Sequence, residues 1–368
     1  MTETYLKYAY DMLYLTSCAL NSAIPDIKKI EETDLKKLFD ICQFHSLTGI
    51  VYMALESAGA DLPGYWKESE SKAIRKVILL DAEREKIFAF MEKSGIWYMP
   101  LKGVILKEYY PKIGMRQMSD NDILYDIKFR EQLKDFMLQN GYQAEGDYKL
   151  SYHDEYLKAP VYNFEMHTKL FSDINDVFSL YFSDVKSKLL KDSDNNFGFH
   201  FTDEDFYIYI TAHEYKHFSL GGTGLRSLAD IYVYLKEKGD NLNRSYIDNE
   251  LEKLGIKDFE QKSCELSKKI FGSVTLPELT PDEKEHLEYY FFSGTYGTFE
   301  HRIKNQMQKH IQKTGNITKF SYIMSRIFPD LSYYKLYYPY AYKHKILIPF
   351  AWTARSVSYT HLTLPTIR

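Results

Sequence analysis

Asp120 and Asp122, one residue apart in Arg116-Gln-Met-Ser-Asp-Asn-Asp-Ile-Leu-Tyr125, are the side chains best spaced for chemistry in this chain. On a strand, residues two apart project from the same face, about 6.5–7 Å apart along the chain. Both carboxylates then address one cleft and Asn121 faces away. Such a pair suits a hard divalent cation, because Mg²⁺ takes oxygen ligands and completes its octahedron with water and phosphate oxygens. Two ions about 3.5–4 Å apart stabilise both the entering and the leaving oxygen of an in-line displacement. A third carboxylate should come from a neighbouring strand, and Glu165 in Asn163-Phe-Glu-Met-His167 fits. Phe164 and Met166 then point into the core, and His167 shares the face of Glu165.

Two other patterns carry chemistry. Lys102-Gly103 lies between a strand-like and a helix-like segment, where glycine lets a backbone approach a phosphate. Its plainer reading is a tight turn. His213-Glu214-Tyr215-Lys216-His217 matches the zinc-peptidase pattern, with two histidines on one helix face and Glu214 as general base. No third ligand follows at a familiar spacing: Leu220 and Thr223 stand where the extended motif has glycine and histidine. The plainer reading of His213 and His217 is a polar helix face lining a cleft. Asp-x-Asp alone is also a common solvent-facing motif.

The elements that must hold these residues follow from periodicity. Residues 5–95 read as helices, with Thr33 as a cap and a long helix from Trp66 to Ser94 closed by Gly95. Ile74, Val77, Ile78, Ile87, Phe90 and Met91 form its apolar stripe. Ile96–Leu101 is short, apolar and aromatic, a buried strand. A short helix from Val104 to Tyr110 follows. Strands then begin near Ser119 and at Pro160, separated by a helix from Phe129 to Asn140. This alternation is a small α/β unit. From about Ile174 the pattern is again helical, including Phe206–Phe218 and Leu225–Lys238. The Gly221–Gly224 turn between them follows no strand and reads as a helix end.

Composition excludes little but bounds the class. The chain has 368 residues, 45% hydrophobic and 27% charged, and a net charge of -4. That suits a globular protein and gives no global footprint for nucleic acid. Aromatics and lysines between Tyr333 and His344 suit helix packing better than base stacking. Cys18, Cys42 and Cys264 are few and far apart, as reduced cytoplasmic thiols would be. No signal peptide and no membrane span is expected. Residues 356–368 break the preceding texture and resemble a translated sequencing adaptor, so they are expected to be non-native.

Leu101-Lys-Gly-Val104, Tyr109-Tyr-Pro111, Gly114-Met-Arg-Gln-Met-Ser-Asp-Asn-Asp-Ile-Leu124 and Phe164-Glu-Met-His167 together resemble the uncharacterised bacterial nucleotidyltransferase family of the DNA polymerase beta superfamily. The resemblance covers most of residues 35–240, including His213 through Asp230. It implies an α+β fold: a small mixed sheet with helices packed on it, flanked by helical regions at 1–95 and 174–355 around a core at 96–173. It implies Asp120, Asp122 and Glu165 as ligands of Mg²⁺ (two ions, with Mn²⁺ as an alternative). The chain departs from the superfamily in having Lys-Gly for Gly-Gly or Gly-Ser, a longer Gly103–Asp120 spacing, and a polar Asn121.

The expected activity is transfer of NMP from an NTP to a hydroxyl of an unidentified acceptor, with Glu165 positioning or deprotonating that hydroxyl. Lys102 would hold the β/γ phosphates. Arg116 either binds pyrophosphate or ties its loop to an acidic neighbour. Ser119 either donates to a phosphate or starts the strand. His167 is a substrate contact or a satisfied half-buried histidine. Arg226 and Asp230 form an intrahelical pair or face the site. The alternatives are a non-catalytic nucleotide-binding relative and the zinc peptidase. Oligomeric state and acceptor stay open.

Overall fold

Two short apolar strands, one alternating and one buried on both faces, organise the molecule. The computed structural model describes residues 2–145, 152–172 and 176–314, with further positions between 324 and 352. The expected non-native tail lies outside the described residues. The chain divides into two compact units, Met1–His301 and Arg302–Arg368.

In the first unit, helices α1 (Thr2–Leu20), α2 (Ile27–Glu31), α3 (Leu35–Phe44), α4 (Thr48–Ser57) and α5 (Gly64–Ser94) precede the first strand. Asp34, not Thr33, caps α3: its carboxylate accepts from the Lys36 and Lys37 amides, while the Thr33 hydroxyl bonds the Lys29 carbonyl. Asp34 has the shorter reach to those amides. The chain continues through β1 (Tyr98–Pro100), α6 (Gly103–Leu106), β2 (Asn121–Tyr125), α7 (Arg130–Gln139), β3 (Gln143–Glu145), β4 (His153–Lys158) and β5 (Tyr162–His167). Then follow α8 (Asp176–Tyr181), α9 (Asp203–Leu220), α10 (Leu225–Lys238), α11 (Arg244–Lys253), α12 (Lys257–Phe271) and α13 (Pro281–Ser293), while α14 (Phe299–Thr314) starts at the end of this unit and continues into the second.

The strands form a mixed five-stranded sheet in the order β1-β2-β5-β4-β3, in which only β2 and β5 run parallel. The expected α+β architecture is therefore present. Side chains alternate across a strand, and this sorts β2 cleanly. Ile123 and Tyr125 join Phe164 and Met166 of β5 in a core with Val77, Leu80, Ile87 and Met91 of α5. Leu124 instead joins Met99, Leu101 and the α9 residues Tyr207, Ile208 and Tyr209. The sheet is thus packed between α5 on one face and α9 on the other. Ile78, expected in the α5 stripe, is 53% exposed; the helix turns that position away from the sheet. The N-terminal helices share a third core with α10, α12 and α13.

In the second unit, the described residues Tyr334, Ala341 and Ala351 form a small cluster with Tyr338, Tyr342, Leu347 and Ile348 around it. No described helix is long and apolar enough to cross a membrane.

Candidate functional site

Parallel pairing of β2 with β5 sets Asp122 directly opposite Glu165 and Leu124 opposite His167. Asp122, Glu165 and His167 bring ligand atoms to within 4.8 Å of one another. His167 Nε2 lies 2.8 Å from Asp122 Oδ1 and 3.4 Å from Glu165 Oε2. Lys102 Nζ donates to the same Asp122 oxygen at 2.6 Å. Burial alone would raise the Asp122 pKa; Lys102 and His167 more than offset it and hold the carboxyl well below its usual range. Asp120, half-buried just before β2, has no such donors among the described residues. Burial, then the charges of Asp122 and Glu165, push it up to about 6. The His167 Nδ1 atom is buried and lacks a hydrogen-bond partner among the described residues.

Asn121 faces away from this cluster, as alternation requires. It is fully buried, accepts from Arg84 and donates to the Leu80 carbonyl, both on α5. A polar residue is tolerated there because α5 supplies both partners.

The turn between β1 and α6 is shaped around its lysine. Lys102 has φ 49° and ψ -116°, a left-handed conformation that costs a side-chain-bearing residue about 1–3 kcal/mol. The turn delivers the ammonium onto Asp122. A Cβ at Gly103 would stand 2.4 Å from Arg116 Nη1, so glycine here makes room for the Arg116 side chain. Arg116 donates twice to Asp230, Nε to Oδ1 at 2.7 Å and Nη2 to Oδ2 at 2.9 Å, and the Tyr110 hydroxyl donates to Asp230 Oδ1 at 2.7 Å. The loop before β2 is thereby tied to α10. Asp230 is held by Arg116 and Tyr110, whereas Arg226 donates to the Gln117 carbonyl at 3.1 Å. Ser119 lies ahead of β2, its carbonyl accepting from Lys76 at 2.7 Å and its hydroxyl 3.1 Å from the Tyr296 hydroxyl.

Above the sheet, α9 turns one face toward the carboxylates. Tyr209, His213 and Lys216 sit at i, i+4 and i+7, one side of a helix. Burial, the nearby Lys102 and Lys216 push the His213 imidazole well below its ordinary pKa. Burial and Lys102 lower Lys216 to about 8, against the pull of Asp122 and Glu165. The Tyr209 hydroxyl is buried without a hydrogen-bond partner among the described residues. His213 and His217 do approach, Nε2 to Nε2 at 3.2 Å. Glu214, however, lies on another face and accepts from Tyr290 on α13 at 2.8 Å. Burial raises its pKa to about 8, so at neutral pH it is a protonated acid, unsuited to activating water for the histidine pair. Among the described residues the group of three metal-capable side chains is Asp122, Glu165 and His167.

Lys76, Tyr209, Lys216 and Tyr296 were not singled out from the sequence. Tyr209 and Lys216 were legible in principle, since they share the helical period of His213. Lys76, on the far side of Asp120, and Tyr296, from a distant loop, carry no local signal.

Two carboxylates and an imidazole converging on one point fit a divalent cation; the group holds His167 where Asp120 was expected, and Asp120 couples to it through charge. The Lys102 and His167 donors, both on one Asp122 oxygen, show how strongly that oxygen attracts positive charge.

A family model described as an uncharacterised nucleotidyltransferase matches residues 31–272, from the end of α2 through α12. Among solved structures, an antigenic nucleotidyltransferase-like protein from Paracoccidioides brasiliensis is similar at 14% identity and a TM-score of 0.35, over 55% of this chain and 93% of that one. No curated protein sequence matches the chain. All the residues of the carboxylate cluster fall within the matched region, which spans well over half of the sequence, and the chain belongs to the uncharacterised nucleotidyltransferase family.

Proposed function

We propose that the protein transfers a nucleoside monophosphate from an NTP to a hydroxyl of an acceptor, with Asp120, Asp122 and Glu165 holding divalent metal, Mg²⁺ by preference. The observation that carries this reading is the charge arrangement. Asp122 faces Glu165 across parallel strands with Asp120 beside them. Lys102, Lys76, Lys216 and Arg226 all stand within electrostatic reach of these carboxylates. Lys76, Lys216 and Arg226 have no carboxylate partner at ion-pair distance among the described residues. Four cations stand against these three carboxylates and Glu155, which lies directly opposite Glu165 on β4, so the charges balance four to four and bound metal would make the surplus positive. A buried surplus of this sign calls for a polyanionic ligand, and a triphosphate meets it.

The roles follow from position. Lys102 and Lys216 approach from opposite sides, sheet and α9, and would hold phosphate oxygens between them. Glu165 keeps a side-chain exposure of 23% against 5% for Asp122, so it is the carboxylate open to an acceptor hydroxyl and the one to position it or take its proton. Bound divalent ions would neutralise charge on the transferred phosphoryl group and lower the pKa of the attacking hydroxyl. Arg116, committed to Asp230, would keep the loop before β2 in place.

Consumption of NTP by purified protein with Mg²⁺ and a cell extract tests the reading. Asp122→Asn and Glu165→Gln should each lower the rate about 10³-fold, roughly 4 kcal/mol of barrier, with the folded state retained by thermal melting. Undiminished consumption in both variants would remove the carboxylates from the chemistry. Binding of NTP by wild type with no turnover in any extract would mark a non-catalytic relative.

A further inference from the structure

Tyr296 is 80% exposed, yet it is not on a loose loop. The Thr295 amide donates to the Phe44 carbonyl at 2.9 Å, and the Thr295 hydroxyl to Ser46 at 3.1 Å. On its other side the Thr298 amide donates to the Gly221 carbonyl at 2.8 Å. The two glycines flanking the ring are fitted tightly. A Cβ at Gly294 would stand 2.4 Å from the Phe44 ring, and one at Gly297 2.4 Å from the Gly221 carbonyl oxygen. The backbone is therefore pinned to α3 and to the end of α9 while the ring points outward. Its hydroxyl fixes the ring as well, lying 3.1 Å from the Ser119 hydroxyl. Ser119 immediately precedes Asp120. Phe44, packed against Gly294, is itself 42% exposed, so the backbone that carries Tyr296 is backed by a second exposed ring.

A single exposed ring needs no explanation. A ring on a backbone pinned at both ends, its hydroxyl meeting Ser119 one residue ahead of Asp120, is different: much of the order is already in place before any ligand arrives. Ligand sites combine such apolar walls with a few convergent polar groups. The charged floor accounts for phosphates and leaves the uncharged, planar end of a nucleotide without a partner. Stacking a base on an aromatic face is favourable for every base, since each has a π-face. We infer that Tyr296 is the stacking platform for the nucleobase of the bound nucleotide, so that this lip supplies base affinity with little discrimination among bases. The inference rests on the nucleotidyl-transfer reading of the site.

Calorimetric titration with Mg²⁺ present separates the two. The probes are ATP, UTP and inorganic tripolyphosphate, on wild type, Tyr296→Phe and Tyr296→Ala. Wild type should bind both nucleotides more tightly than tripolyphosphate. Tyr296→Ala should weaken both nucleotides about tenfold or more and leave tripolyphosphate unchanged, while Tyr296→Phe stays within about threefold of wild type. Nucleotide affinity unchanged in Tyr296→Ala would overturn the stacking role and leave the phosphate site standing. Equal weakening of tripolyphosphate would also overturn it, placing the effect on the phosphate floor. Failure of wild type to bind tripolyphosphate and nucleotide alike would instead remove the reading on which the inference rests. Because the ring is exposed and the flanking glycines are kept, Tyr296→Ala should melt with wild type.

Discussion

Lys216 shows how a residue acquires a role from its surroundings. The motif around it on α9 assigned Lys216 no role, but the fold brings it within reach of Asp122 and Glu165, and burial with the Lys102 charge lowers its pKa to about 8. A lysine binds phosphate only while protonated. Below pH 8 the free protein therefore carries the ammonium, and above it the charge is lost. The kcat/KM for MgNTP, which reports groups of the free enzyme, should fall as pH rises through about 8. Lys216→Ala should lower it roughly 10–100-fold at pH 7, the worth of a charge-assisted bond, and flatten the fall. Lys216→Arg, charged throughout, should keep the activity and lose the fall. A pH profile unchanged in Lys216→Ala would assign the titration elsewhere. Period-two spacing in β5, by contrast, put Glu165 and His167 on one face without the fold, and the parallel pairing of β2 sets Asp122 against them; Asp120, ahead of β2, lies outside that group. The partners of Arg116 and Asp230 were not legible without the fold. Either residue had a plausible local role, and only the approach of the β2 loop to α10 joins them.

Elements position these groups through a few close fits. Arg116 and Asp230 are both largely buried and doubly bonded. Breaking such a pair strands a charge and costs about 3–5 kcal/mol, so Asp230→Ala should lower unfolding free energy by that amount in a denaturant titration. Loss of less than about 1 kcal/mol would show the tie to be dispensable. Gly103→Ala pushes a methyl into Arg116 Nη1. The expected cost is about 1–3 kcal/mol, together with reduced nucleotide binding as the Lys102 turn shifts; wild-type binding and stability in this variant would contradict the fit. β5 was visible in sequence because apolar residues alternate along it, and β2 because Ile123-Leu-Tyr125 is a short apolar run, buried on both faces. β4 was missed, since His153-Asp-Glu-Tyr-Leu-Lys158 is mostly polar. Its Asp154 is buried only because Arg130 of α7 donates to both oxygens, at 2.8 and 2.5 Å. β3, exposed along its length, has no pattern to read and exists through pairing with β4.

At the scale of the molecule, the sheet contributes carboxylates and the helices contribute cations. Lys76 comes from α5, Lys216 from α9 and Arg226 from α10, so no isolated part holds a complete site. The sheet's core is also completed from outside residues 96–173: beside Leu133 and Met137 of α7, α5 covers one face and α9 the other. A fragment of residues 96–173 should accordingly remain unfolded by circular dichroism and proteolysis, and a cooperative melt of that fragment would contradict this dependence. The central claim is nucleotidyl transfer at the carboxylate cluster. Parallel incubations with α-labelled and γ-labelled NTP, Mg²⁺ and a cell extract test it most directly. The account predicts that α-label alone enters an acceptor, that γ-label leaves as pyrophosphate, and that Asp122→Asn abolishes both. Transfer of γ-label to the acceptor, or α-label transfer undiminished in Asp122→Asn, would contradict it.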